Sequence, residues 1–307
     1  MMINFFPIKC ISIVIIFSIL SCTSDSALQK EKEKQTPTHE TVFTKGKIKE
    51  TVYPKDRIEI LKRLQQKITD EKPIVIHAFV PLCDNENQGI VPVSKSLGNG
   101  LNLRTNLYWG ALYGVKTHFK KQKDWTLLFS KKDLNKNILE RVVFFKKYKN
   151  GAQVYFVGDA YRGDRMAACL TDYFAALSNE NKSEFDFLDK KIGIEGNADL
   201  IVFNGHNGLM DTSIEFPNNM HTSSKDAIAI ACISFDYFKE YYQQVNAYPL
   251  LNTKNLLAPE AYVLKNVFDA WAMLEDEEAI HHAAGSAYNQ YQKCGLKGAK
   301  RLFQSGW

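Results

Sequence analysis

"ADLIVFNGHNGLMD" occupies residues 198–211. Its apolar run from Leu200 to Phe203 passes straight into Asn204-Gly205-His206-Asn207-Gly208. A short, continuous, β-branched run that ends at a glycine turn predicts a strand covered on both faces. A second stretch, "AIAIACIS" at 227–234, repeats the pattern and ends on Cys232. Two buried strands that each end on a reactive side chain set the question for the rest of the chain.

Working outward, "DRIEILKRLQQKI" (56–68) places Ile58, Leu61, Leu64 and Ile68 on one helical face. "IVIHAFV" (74–80) is a strand-like run in which only His77 is polar. "TNLYWGALYGVKTHF" (105–119) spaces Leu107, Ala111, Val115 and Phe119 four apart, which predicts a helix. "WTLLFS", "RVVFFKKY" and "AQVYFVGDA" read as strands, and "RGDRMAACLTDYFAAL" (162–177) reads as a helix. "YPLLNT" (248–253) is a further strand. "PEAYVLKNVFDAWAML" is a helix opened by Pro259, and another helix spans about 276–293. Strands alternating with amphipathic helices predict an α/β domain with a mostly parallel central sheet flanked by helices. Such sheets bind ligands beyond the carboxyl ends of their strands. His206 and Cys232 are therefore expected on one edge.

An apolar strand ending in histidine and glycine, followed by another ending in Ala-Cys, resembles the caspase, gingipain and clostripain superfamily of cysteine peptidases. The specific part of the likeness is "FNGHNG" and "AIAC", within a strand framework from about 72 to 270. The resemblance implies a caspase-like α/β sandwich with Cys232 as nucleophile and His206 as base. It also implies an oxyanion held by backbone amides near Gly205, Gly208 and Cys232, and no cofactor. The chain departs from the pattern where Asn207 follows the histidine in place of glycine, and where Ile233-Ser234 follow the cysteine. It would be a divergent member, and an inactive descendant is the alternative.

Other residues share the expected edge. Asp84, in "FVPLCDNENQG", lies in a polar loop that loosely resembles the Asp-Asn loop of the superfamily's clostripain-like members, which makes it a substrate-binding candidate. Arg162 and Arg165, in "VGDAYRGDR", present forked donors suited to a substrate carboxylate. Cys83 and Asp84 with His206 and Cys232 offer mixed ligands for zinc, which would make a metal-dependent hydrolase; no short ligand pair fixes such a site, and no metal is assigned. Cys83, Cys169, Cys232 and Cys294 allow three complete disulfide pairings, among which sequence does not choose.

The amino terminus and the composition bound the setting. "MMINFFPIKCISIVIIFSILSC" (1–22) has one lysine, an apolar core and a closing Ser-Cys, the layout of a signal peptide. Its end, Ile19-Leu20-Ser21-Cys22, resembles a bacterial lipobox, which implies a lipidated (palmitate-bearing) Cys22 as the first mature residue. Thr23 in the next position points to the outer membrane. Residues 1–21 thus read as signal peptide, 22–53 as lipidated cysteine and flexible tether, and 54–307 as a single caspase-like domain. Hydrophobic residues make up 45% and charged residues 24%, the balance of a globular protein. The net charge of +5 is dispersed in short runs, which argues against nucleic acid as a partner. The expected protein is a lipid-anchored cysteine hydrolase of the cell envelope, a peptidase acting on a peptide or protein. The alternative from another class is a non-catalytic envelope lipoprotein that binds a ligand or partner at the same edge.

Overall fold

The computed structural model describes residues 56–216 and 223–307; the expected signal peptide, Cys22 and tether lie outside them. The chain runs through α1 (Ile58–Thr69), β1 (Ile74–Pro81), α2 (Val115–Lys121), β2 (Thr126–Lys132), β3 (Ile138–Lys147) and β4 (Gln153–Tyr161). It continues through α3 (Met166–Leu177), β5 (Lys182–Phe187), β6 (Lys190–Glu195), β7 (Leu200–Asn204), β8 (Asp226–Ile230) and α4 (Ser234–Gln244). Last come β9 (Tyr248–Thr253), α5 (Ala261–Ala272), α6 (Glu277–Gln292), α7 (Leu296–Arg301) and β10 (Phe303–Gln304).

Eight strands form one sheet in the order β10-β9-β8-β7-β1-β4-β3-β2. β4, β1, β7, β8 and β9 are mutually parallel, while β3 and β10 pair antiparallel to their neighbours at either side. The α/β class expected from the sequence is the one the molecule has. Every residue of β1, β7, β8 and β9 is buried, which explains why they read as unbroken apolar runs. α1, α2, α5, α6 and α7 pack on one face of the sheet. α3, α4 and the β5–β6 hairpin cover the other.

The chain moves from β1 to β4 on one side, then returns past β1 to β7 on the other. Connections that leave in opposite directions make a topological switch point at the carboxyl ends of β1 and β7, the place where such sheets bind ligands. Both quoted motifs belong to this edge.

Two elements differ from expectation. Residues 105–114 form turns, and only 115–121 are helical. Buried Asn106 sits at the centre of the turns and bonds to the backbone of Cys83, Asn99 and Tyr108, so its side chain serves the sheet edge. Gly110 lies so close to the Leu103 and Arg104 carbonyls that a Cβ would fall within 2.4 Å of both. α1 turns Ile60 and Leu64 inward and leaves Ile58 exposed. The rotation lets Arg57 enter the core, where it forks onto Asp226 at 2.9 and 2.8 Å beside the Trp271 indole N–H. "FDYFKEYYQQ" is α4, with Phe238 and Tyr242 in the core.

Candidate active site

The β7–β8 register ends at Asn204 opposite Ile230. Two residues further along each chain stand His206 and Cys232, so the sequence spacing of 26 equals the register offset. Neighbouring parallel strands therefore deliver both side chains to the same level of the sheet edge. Gly205 continues the pairing by donating its N–H to the Ile230 carbonyl at 3.2 Å.

His206 is buried, and its Nε2 lies 2.5 Å from Asp211 Oδ2. The same carboxylate oxygen accepts the Gly89 N–H at 2.8 Å, which ties the loop after β1 to the loop after β7. Between them, residues 208–210 make one 3-10 turn that carries Asp211 back towards the ring. Gly208 fits under α3 only without a side chain: a Cβ there would meet Met166 Cγ at 2.1 Å. Asn207, the residue that departs from the superfamily pattern, is a brace. Its amide donates to the Cys232 carbonyl at 2.7 Å, and its side-chain oxygen accepts the Leu209 N–H at 3.1 Å.

Cys232 is partly exposed, with its Sγ 3.7 Å from the Leu257 carbonyl. Among the described residues no hydrogen bond joins it directly to His206. The Cys232 N–H is not taken up by a backbone hydrogen bond among them either. Ile233, next in sequence, has φ 51° and ψ 30°, the left-handed region that disfavours a β-branched residue. Such strain costs on the order of 1–3 kcal/mol and persists only where the surroundings enforce it. Here it makes the sharp turn from β8 into α4 and presents Cys232 at the amino end of that helix.

Cys83 ends one strand over, past β1, and is buried. Burial pushes its thiol up to about 11, with the neighbouring Tyr108 hydroxyl acting in the opposite direction. The Tyr108 hydroxyl stands within electrostatic reach of both Cys83 and Cys232. Exposure thus singles out Cys232 as the approachable thiol of the two.

The other candidates lie along the same edge but are engaged locally. Asp84 is buried, and its carboxylate accepts the N–H groups of Glu86 and Asn87 and the Asn87 amide. Arg162 forks onto Asp164 at 2.9 and 2.8 Å, two strands away beyond β4. Arg165 is more open, 4.0 Å from the same carboxylate. Gln88 links these loops by donating to the Leu82 and Gly163 carbonyls. Among the described residues no three His, Cys, Asp or Glu side chains converge as metal ligands would, and the four cysteines are free thiols. No helix among them is long and apolar enough to cross a membrane.

No family model, curated protein or solved structure matches this chain. The site's chemistry rests on its own geometry. Sequence reasoning missed Asp211 and Asn207 as parts of the candidate site. Their signal was present in "GHNGLMD", where polar residues flank a glycine turn that an apolar strand drives into the interior.

Proposed function

We propose that the protein is an exported, lipid-anchored cysteine hydrolase that cleaves a peptide or related amide bond. The observation that carries this reading is the register: β7 and β8 bring His206 and Cys232 to matching positions past their carboxyl ends, beside the point at which the strand order reverses. The strained Ile233 turn and the Asp211–His206 bond support it.

With Nε2 held by Asp211, Nδ1 is the ring nitrogen that can accept the Cys232 proton. The thiol leaves the Leu257 carbonyl, passes its proton to His206, and its sulfur attacks the substrate carbonyl carbon. The oxyanion meets the amides near Gly208 and Cys232, since the Gly205 N–H already bonds to the Ile230 carbonyl. Collapse breaks the C–N bond, and His206 returns the proton to the leaving amine. Water then adds to the thioester with His206 again taking the proton, and the acid departs as the thiol re-forms. Asp211 acts as a positioning residue that fixes the ring's orientation.

A second reading, a non-catalytic binding protein on the same scaffold, is favoured by the thiol's present bond to the Leu257 carbonyl. The two separate in one experiment. The chain from Thr23 onward is incubated with a complex peptide mixture and new termini are read by mass spectrometry. The hydrolase reading expects cleavage that is lost in Cys232→Ser; equal cleavage by both proteins overturns the Cys232 mechanism, and none by either favours the binding protein.

A further inference from the structure

At the opposite end of the sheet, beneath the amino ends of β7 and β8, lies a cavity of about 240 Å³. α1 contributes Arg63 and Lys67, β5 contributes Lys182, and Lys225 enters just ahead of β8. Four cationic side chains therefore surround one small space, with Asp199 as the carboxylate of its wall. Asp199 is already committed: it holds Lys67 at 2.6 and 2.7 Å and accepts the Val75 N–H at 2.9 Å.

Arg63 and Lys225 have neutral partners, and Lys182 stands exposed at the end of β5. Arg63 donates to the Ser224 carbonyl. Lys225 is buried, and its ammonium donates to the carbonyls of Ala176, at 3.1 Å, and Gly196. A buried ammonium without a counter-charge is costly. Burial pulls Lys225 down to about 7; Asp199 opposes the fall, and Lys182, Arg63 and Lys67 add to it. These five groups evidently share one electrostatic field. An anion is the species that would offset it.

We infer that this pocket binds a phosphate-type oxyanion, either free phosphate or the phosphate of an anionic lipid headgroup, through Arg63, Lys182 and Lys225. The arginine fork suits two oxygens of such a group. The lysines supply point charges from the other sides, and the cavity is large enough for one phosphate but not for a broad ligand. The site stands apart from the thiol edge and does not depend on the hydrolase reading.

Calorimetric titration of the chain from Thr23 onward with inorganic phosphate at low ionic strength tests it. The expected result is saturable one-to-one binding, weakened about tenfold or more in Arg63→Gln/Lys182→Gln, whose changes lie at the mouth. Lys225→Met, with circular dichroism to confirm the fold, should also lose binding. Lys297→Gln/Lys300→Gln on α7 should bind as the parent does. Absence of saturable binding, or an unchanged affinity in the Arg63/Lys182 variant, overturns the inference. Vesicles of phosphatidylglycerol then separate the sources: retention displaced by inorganic phosphate assigns a headgroup, and absence of such retention assigns free phosphate.

Discussion

At the scale of single residues, the polar groups that interrupt apolar strands are the informative ones. His77 stood out in "IVIHAFV", and it is wholly buried, with Nε2 3.0 Å from Asp159 and Nδ1 accepting the Glu195 N–H at 2.9 Å. Arg141 forks onto the same Asp159 at 2.7 and 2.6 Å. Burial pushes the Asp159 carboxyl up, but Arg141 and His77 outweigh it and hold it at about 2. That lies below the ordinary aspartate value of roughly 3.9. The stability this group contributes is therefore complete above about pH 4 and is lost as pH falls towards 2, on the order of 2 kcal/mol in all. Urea unfolding of the parent and of Asp159→Asn at pH 7, 4 and 2 checks this. The variant should be about 3 kcal/mol less stable at pH 7, with the gap narrowing towards pH 2; a gap constant with pH would refute the linkage. Sequence exposed His77 as an oddity but not its partners, because Asp159 and Arg141 come from strands 82 and 64 residues away and meet it only through the sheet register.

At the scale of elements, strands were legible and the loops that shape the site were not. β1, β7, β8 and β9 announce themselves because burial on both faces removes every polar residue but those that serve the site or a network. Residues 105–114 misled because apolar spacing of four also suits a packed series of turns. There the apolar side chains of Leu107 and Trp109 face the core while Asn106 supplies what a helix would otherwise take from its own backbone. The Asn106 side chain donates two hydrogen bonds and accepts two from three backbone segments, so Asn106→Ala should cost about 2–3 kcal/mol. Hydrogen exchange should show the loss concentrated at residues 82–89 and 97–108. A loss spread evenly over the sheet would mean that Asn106 is ordinary core and not the clamp on the Cys83 loop. The β5–β6 hairpin escaped notice for the opposite reason: charged residues interrupt it, and only Ile192 and Ile194 are buried, with Phe185 and Phe187 packed at the margin of the core.

At the scale of the whole molecule, one sheet separates two clusters of polar side chains. Its carboxyl edge gathers His206, Asp211 and Cys232, and its amino edge gathers the cationic pocket. The first could be anticipated because strand ends and a parallel sheet are enough to place it. The second could not, since Arg63, Lys182 and Lys225 lie far apart in the chain and resemble any other surface charge until the fold assembles them. The central claim is that Cys232 is an activated thiol controlled by His206. Iodoacetamide labelling of the chain from Thr23 onward, across pH 5 to 9 with site assignment by mass spectrometry, measures it. Cys232 should label fastest of the four described cysteines near neutral pH, and about tenfold or more slowly in His206→Ala. An inert Cys232, or one whose rate ignores the loss of His206, would contradict the account.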